Sequence, residues 1–286
     1  MASWQAHATS MLLKATVKRK LRRASDPVSA RLALEASAKG SVRAPDFVGG
    51  VPGEWQGDAD APVTVLYLHG GGYFACSPRT HRPITQGLAQ GGVRVFAADY
   101  RLAPENPYPA ALEDAVAAYR GLLDAGITRI AVGGDSAGGG LTVALMLRLR
   151  DLRVPMPARA VLFSPWTDLA ATGSTLQTNS RRCAMFDGTG IARAGAAYVG
   201  DEDPRDPLIS PLYGDFTGLP PLLIHVGEAE VLRDDSTRLA DRARAAGIPV
   251  ELRIWPVVAH VWQIMPNFIP EARESLALAA RFLLMS

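Results

Sequence analysis

Ile130-Ala131-Val132-Gly133-Gly134-Asp135-Ser136-Ala137-Gly138-Gly139 is the stretch that decides how this chain is read. A short β-prone apolar run ends in glycines, carries a serine at its apex and opens into the helix-forming run Leu141-Thr142-Val143-Ala144-Leu145-Met146-Leu147. Inside it lies Gly134-x-Ser136-x-Gly138, the nucleophile-elbow pattern. A serine held between strand and helix must adopt a strained backbone to project its hydroxyl, and only small neighbours let the chain turn that sharply. Taken alone, the five residues also fit a glycine-rich turn with a solvated serine.

The alternation on either side favours the elbow. Val63–Leu68, Val93–Ala97, Ile130–Val132, Ala158–Phe163, Pro221–Val226 and Val250–Ile254 read as strands, and Val63–Leu68 is nearly all apolar, as a strand buried on both faces should be. Between them, helices are predicted through Ile84 and Leu88, over Pro109–Leu123, Ala137–Arg150 and Asp235–Ala246, and finally over Glu271–Leu284. Such alternation with short connections predicts a mainly parallel, doubly wound sheet flanked by helices, with antiparallel edge strands drawn from Val42–Trp55. Some fifty residues between Thr167 and Pro220 break the rhythm with many glycines and prolines and one predicted helix, Gly190–Val199. A stretch of that length inside a compact domain reads as a lid.

The first forty residues contain no strand pattern. Met11, Leu12, Leu13, Val17 and Leu21 recur at helical spacing among Lys14, Lys18, Arg19, Lys20, Arg22 and Arg23. A second helix is predicted from Pro27 through Leu32, Leu34 and Ala36 to Gly40. These helices fit a cap over an active site; a basic membrane-surface helix and a plain peripheral helix are the alternatives. Residues 1–40 hold eight Lys/Arg against two acids, a balance of +6, which leaves −4 on the remaining 246 of a chain whose net charge is +2. That body is mildly acidic and unsuited to nucleic acid. Two cysteines, Cys76 and Cys183, cannot build a disulfide framework and read as free thiols. No apolar run approaches the ~18 residues of a membrane span, and the N-terminus lacks a signal-peptide pattern, so no membrane insertion and a cytoplasmic location are expected.

The serine requires partners. His69-Gly70-Gly71-Gly72-Tyr73 follows the first strong strand, and its bare backbone can turn N–H groups toward an oxyanion, together with the N–H of Ala137. His69 precedes that loop and reads as its brace. Of the other histidines, His7 lies in the N-terminal appendage, His81 at a helix start, as structure or surface, and His225 inside a strand. His260 follows the last strand in a loop, where an α/β sheet assembles its site, and is the candidate base. The loop after Leu222–Val226 offers Glu228, Glu230, Asp234 and Asp235 as the third member, in the order Ser, acid, His. Asp234 and Asp235 open the next helix, where capping is their ordinary role. Glu230, in mid-loop, is only slightly favoured on these grounds.

His69-Gly-Gly-Gly-Tyr73, Asp99-Tyr-Arg-Leu-Ala-Pro-Glu105, Gly134-Asp-Ser-Ala-Gly138, Ser164-Pro-Trp-Thr-Asp168 and His260-Val-Trp262 together resemble the bacterial hormone-sensitive-lipase-like esterases over essentially residues 40–286. The resemblance implies an α/β-hydrolase fold with a helical cap: residues 1–40 as N-terminal cap helices, 41–286 as the catalytic domain, and a lid insertion at roughly 170–210. It implies a serine carboxylesterase for short or medium acyl chains with no cofactor and no metal, its partner a small-molecule ester. Ser136, Glu230 and His260 would form the triad, Gly71, Gly72 and Ala137 the oxyanion hole, with His69, Gly70 and Asp135 as motif support. Members commonly carry Asp where Glu230 stands. The family often forms dimers, so a homodimer is the expectation carried over. The Asp99–Glu105 block is read as structural, with Asp99 and Arg101 locking it.

Overall fold

Strands that are apolar on both sides need helices above and below them, and the sheet is built that way. In the computed structural model, which describes residues 2–23, 26, 29, 31–32 and 41–285, eight strands join in one sheet. They are β1 (Asp46–Val48), β2 (Val51–Gln56), β3 (Thr64–Leu68), β4 (Arg94–Ala98), β5 (Ile130–Asp135), β6 (Ala160–Phe163), β7 (Leu222–Gly227) and β8 (Val250–Trp255). Their order across the sheet is β1-β2-β4-β3-β5-β6-β7-β8. The pairs β1–β2 and β2–β4 are antiparallel, the edge expected from residues 42–55, and every other pair is parallel.

Alternate residues of a strand point to opposite faces, and β3 shows what each face meets. Val65 and Tyr67 fall in one buried cluster with Ile84 and Leu88 of α3 (Pro78–Gln90) and Leu276 and Leu283 of α9 (Pro270–Leu284). Leu66 and Leu68 fall in the other. It holds the inner sides of α4 (Ala110–Asp124), α5 (Ser136–Asp151) and α8 (Arg233–Ala245). Helix α5 is buried from Ser136 through Leu147, so it lies at the centre of the molecule. Within 170–210 two helices form, α6 (Thr175–Thr178) and α7 (Gly188–Val199).

The N-terminal segment forms α1 (Trp4–Ala15) and α2 (Val17–Arg23), parted at Thr16. The apolar line read from the sequence is split: Met11 and Leu12 are 68% and 62% exposed, whereas Leu13, Val17 and Leu21 are half-buried. The inward side carries Ala6 and Thr9. Ala6 joins the cluster of Trp255, Val258, Trp262 and Ile269, and the Ser10 hydroxyl donates to the Val257 carbonyl at 2.6 Å. Of the second predicted helix, Pro27, Leu34, Ala36 and Gly40 lie outside the described residues. Cys76 and Cys183 are free thiols. Among the described residues no helix is long and apolar enough to cross a membrane.

Two buried histidines make the fold acid-sensitive. Burial, then the neighbouring charge of His81 for His69 and of Arg253 for His225, lowers both pKa values to about 3. In the unfolded chain each takes up a proton near pH 6.5, but in the folded chain only near 3. Their contribution is therefore complete above pH 6.5 and is lost as pH falls below it, at about 1.4 kcal/mol per pH unit for each histidine. Urea unfolding between pH 7 and 5 should show that slope reduced by about 1.4 kcal/mol per unit in a His225→Gln variant. Identical slopes would overturn this reading.

Candidate active site

The parallel strands β3, β5, β6, β7 and β8 end on one edge of the sheet, and each hands its chain to a loop there. Ser136 stands where β5 becomes α5, with φ at +52°, a left-handed value that non-glycine residues rarely adopt. The turn works because α5 presses directly on the end of β3. A Cβ on Gly138 would collide with the carbonyl oxygens of Leu68 and His69. The Ser136 carbonyl accepts from Trp166 N at 2.9 Å, tying the elbow to the loop after β6. Ser136 itself is only 9% exposed.

The residue before it, Asp135, is buried and doubly held. Tyr67 donates its hydroxyl to Oδ1 at 2.7 Å, and His81 Nε2 lies 3.1 Å from Oδ2. Burial alone would raise the Asp135 pKa, but the charge and hydrogen bond of His81 and the bond from Tyr67 outweigh it, and the carboxyl sits below its ordinary value. His81 is therefore a buried partner of the elbow and not a surface residue.

His69 lies against the glycine loop. Its Nδ1 lies 2.7 Å from the Gly70 carbonyl, its ring stacks on Tyr100 at 4.4 Å, and its own carbonyl accepts from the Tyr100 hydroxyl at 2.6 Å. Gly70 lies against Asp135 and Ser136, and Gly71 and Gly72 continue at φ of +124° and +66°. Among the described residues the N–H groups of Gly71 and Gly72 find no acceptor in the protein. Tyr73 then stacks face to face on Tyr198 of α7 at 3.8 Å, joining the glycine loop to the 170–210 segment.

His260, in the loop after β8, is buried, and its Nδ1 is 2.5 Å from Oε2 of Glu230 in the loop after β7. The other carboxylate oxygen accepts twice, from Gly227 N at 2.6 Å and from Ser164 Oγ at 2.7 Å. Asn179 fixes the acid's backbone by donating to the Glu230 carbonyl at 2.8 Å. The Phe186 ring meets the His260 imidazole edge-on at 5.0 Å. His260 Nε2 is buried with no hydrogen-bond partner among the described residues. The Ser136 hydroxyl likewise makes no hydrogen bond within the described protein. Serine and imidazole thus stand at the same edge of the sheet, after β5 and β8, with no hydrogen bond between them.

The competing acids are engaged elsewhere. Asp234 accepts from Ser174 Oγ at 2.7 Å and Thr175 N at 3.0 Å. Asp235 accepts from the backbone N–H groups of Thr167 and Asp168 at 2.8 and 2.9 Å. Burial, then the charge of Asp168, pushes Asp235 up to about 7 against those bonds and Arg238. Glu228 is half exposed, 3.8 Å from Arg182. Arg101 turns to Asp114 and Glu113 of α4, so the expected lock with Asp99 is not its principal pairing. Ser164, inside the Ser-Pro-Trp-Thr-Asp block, takes a left-handed φ of +47° that no local sequence signal marks, because its partner Glu230 lies 66 residues away. No group of three or more His, Cys, Asp or Glu side chains could hold a metal among the described residues.

A family model described as the α/β-hydrolase fold matches residues 65–264. An acetyl-hydrolase of Streptomyces hygroscopicus is 48% identical over 223 residues, covering 77% of this chain and 75% of that one. An esterase of Acinetobacter venetianus is 34% identical over 290 residues, covering 98% and 96%. Among solved structures, an esterase from the bacterial hormone-sensitive lipase family superposes with a TM-score of 0.90 at 40% identity, covering 99% of this chain and 98% of that one.

The contact at Gly70 makes a local prediction. An added methyl would run into the Asp135 carboxylate and lie 3.1 Å from Ser136 Cβ. Gly70→Ala should therefore destabilise the protein by about 1–3 kcal/mol through overpacking, read as a lower urea midpoint. An unchanged midpoint would show that the loop can retreat.

Proposed function

This chain belongs to the bacterial hormone-sensitive-lipase-like esterases of the α/β-hydrolase fold and is a carboxylic ester hydrolase, and we propose that it works through Ser136, His260 and Glu230 by way of an acyl-enzyme. The observation that carries this reading is the buried 2.5 Å contact between His260 Nδ1 and Glu230 Oε2, with Nε2 left unpaired. A carboxylate on Nδ1 fixes the tautomer that leaves Nε2 free to accept a proton. Ser136 Oγ attacks the ester carbonyl carbon as its proton passes to His260 Nε2. The charge that builds on the carbonyl oxygen is met by the N–H groups of Gly71, Gly72 and Ala137, each such donor typically contributing about 2.7–4 kcal/mol in the transition state. The C–O bond then breaks, and the alcohol leaves with the proton from His260. Water attacks the acyl-enzyme with His260 again as base, releasing the carboxylic acid and restoring Ser136.

Ser164 enters as a positioning residue. Glutamate has one more rotatable bond than aspartate, and its end must be fixed for Oε2 to meet the imidazole squarely. Gly227 N and Ser164 Oγ take Oε1 and leave Oε2 to His260.

The substrates proposed are esters of short to medium acyl chains. In support, the Streptomyces hygroscopicus relative is an acetyl-hydrolase. A structure 35% identical to this chain, described as EstE5, was soaked with p-nitrophenyl butyrate. Residues 1–40 and the 170–210 segment would act as the cap, since Phe186 touches His260 and Tyr198 stacks on Tyr73. The alternative is the same machinery working on a thioester, lactone, amide or carbamate in place of these esters.

Turnover of a series of nitrophenyl esters of rising acyl length tests the reading. Ser136→Ala should abolish turnover, and the absence of activity in the parent protein would sink the proposal. Glu230→Gln should lower kcat by about 10⁴-fold, whereas Asp234→Asn should leave kcat nearly unchanged. Collapse in the Asp234 variant alone would transfer the acid's role there. Ser164→Ala should lower kcat about tenfold, the scale of one hydrogen bond to a charged group, with KM little altered and Ser164→Thr partly restoring it.

A further inference from the structure

The outward side of α1 is apolar where a surface helix is ordinarily polar. Trp4 and Met11 are seven residues apart, about 20° apart around the helix, and are 69% and 68% exposed. Leu12 stands beside them, and Phe268 extends the patch from the body, its ring edge-on to Trp4 at 6.0 Å and 49% exposed. Contiguous exposed apolar surface of this kind marks an interaction site. The same helical segment is basic. Lys14, Arg19 and Lys20 are exposed, and among the described residues no carboxylate pairs with any of them. Arg22 alone reaches an acid, Asp187, at 3.5 Å.

The helix pair is anchored, so the patch is presented rigidly. Lys18 is buried and donates to the carbonyls of Ser180 and Cys183 at 2.5 and 2.9 Å, and Ser10 holds the Val257 carbonyl. A further protein copy would have to match a cationic, apolar face with an acidic one. An anionic bilayer matches it without special shape, because its headgroups attract lysine and arginine while its upper acyl region accepts Trp, Met, Leu and Phe.

We propose that Trp4, Met11, Leu12 and Phe268, with Lys14 of the same helix and Arg19 and Lys20 of the helix that follows, form a docking surface for an anionic phospholipid bilayer. The basic segment, +6 in the first forty residues against −4 elsewhere, turns this face toward the membrane and the acidic body away from it. Because Ser10 and Ala6 sit on the loop that carries His260, docking sets the catalytic edge of the sheet near the bilayer, where amphiphilic esters concentrate. Binding is peripheral: the contact is one helix face and not a span.

The test uses the full chain carrying Ser136→Ala, so that no lipid is hydrolysed, with vesicles of equimolar phosphatidylglycerol and phosphatidylcholine. It therefore stands apart from the catalytic assignment, which vesicle binding neither needs nor measures. Co-sedimentation with these vesicles is expected, with a blue shift of tryptophan emission that disappears in Trp4→Phe. Lys14→Gln and Lys20→Gln should each weaken binding about fivefold, and added salt should weaken it further. Trp4→Ser with Met11→Ser should abolish it while far-ultraviolet circular dichroism and the thermal midpoint stay unchanged. No binding, or equal binding to pure phosphatidylcholine with the charge variants unaffected, would overturn the proposal. So would a dimer that the Trp4/Met11 variant converts to monomer, since that assigns the face to a second copy.

Discussion

The Glu230 carboxylate holds three strand ends in one arrangement. Its Oε1 is fixed by the turn at the end of β7, through Gly227, and by the loop after β6, through Ser164. Its Oε2 is left for the imidazole that follows β8. All of these groups are buried, so the bonds act in a low-dielectric interior, where a satisfied network is rigid and a broken one leaves an exposed charge in apolar surroundings. The Ser164-Pro-Trp-Thr-Asp168 loop is in turn fastened at its other end by Asp235, and Trp166 N holds the carbonyl of Ser136. Serine and carboxylate are thus positioned by the same short loop.

The elbow carries strain that the core offsets. A left-handed φ at a non-glycine residue costs about 1–3 kcal/mol, and it occurs here at Ser136, Ser164 and Tyr73, around one site. The burial of nearly all of α5 and the bonds around Asp135 restrain the turn locally. His81 and Tyr67 therefore matter to the nucleophile candidate without touching it. Holding the hydroxyl away from ordinary backbone geometry keeps it available to a substrate.

The N-terminal segment shows a different balance. It binds the body mainly through polar anchors, Ser3 to Glu271, Ser10 to Val257 and Lys18 to two carbonyls, with one small side chain, Ala6, packed inward. Trp4, Met11 and Leu12 remain outside, while Leu13, Val17 and Leu21 are half-buried. An helix that keeps tryptophan and methionine in water while hydrogen-bonding its other side is shaped by something other than the stability of this chain alone.

Much of this was legible in the sequence because it rests on local rules. Continuous apolar runs separated by helices of period 3.6 specify a parallel α/β sheet, and Gly134-x-Ser136-x-Gly138 at a strand-to-helix junction specifies a sharp turn whatever surrounds it. The glycines at 70–72 and the place of His260 beyond the last strand followed from the same chain order. What the chain order could not decide was which of Glu230 and Asp234 faces the histidine, because one lies in the loop and the other opens the helix only four residues on, and a small change of loop path exchanges their directions. Only packing decided it: Asp234 is taken up by Ser174 and Thr175, and Glu230 by Ser164. The direction of α1 was likewise hidden, since an apolar stripe in sequence looks the same whether it meets a core or solvent. So were the burial of His81 and the role of Ser164, which depend on partners 54 and 66 residues away. Periodicity and turn chemistry act within a few residues and can be read along the chain, whereas hydrogen bonds between the ends of different strands exist only once the sheet has brought those ends together.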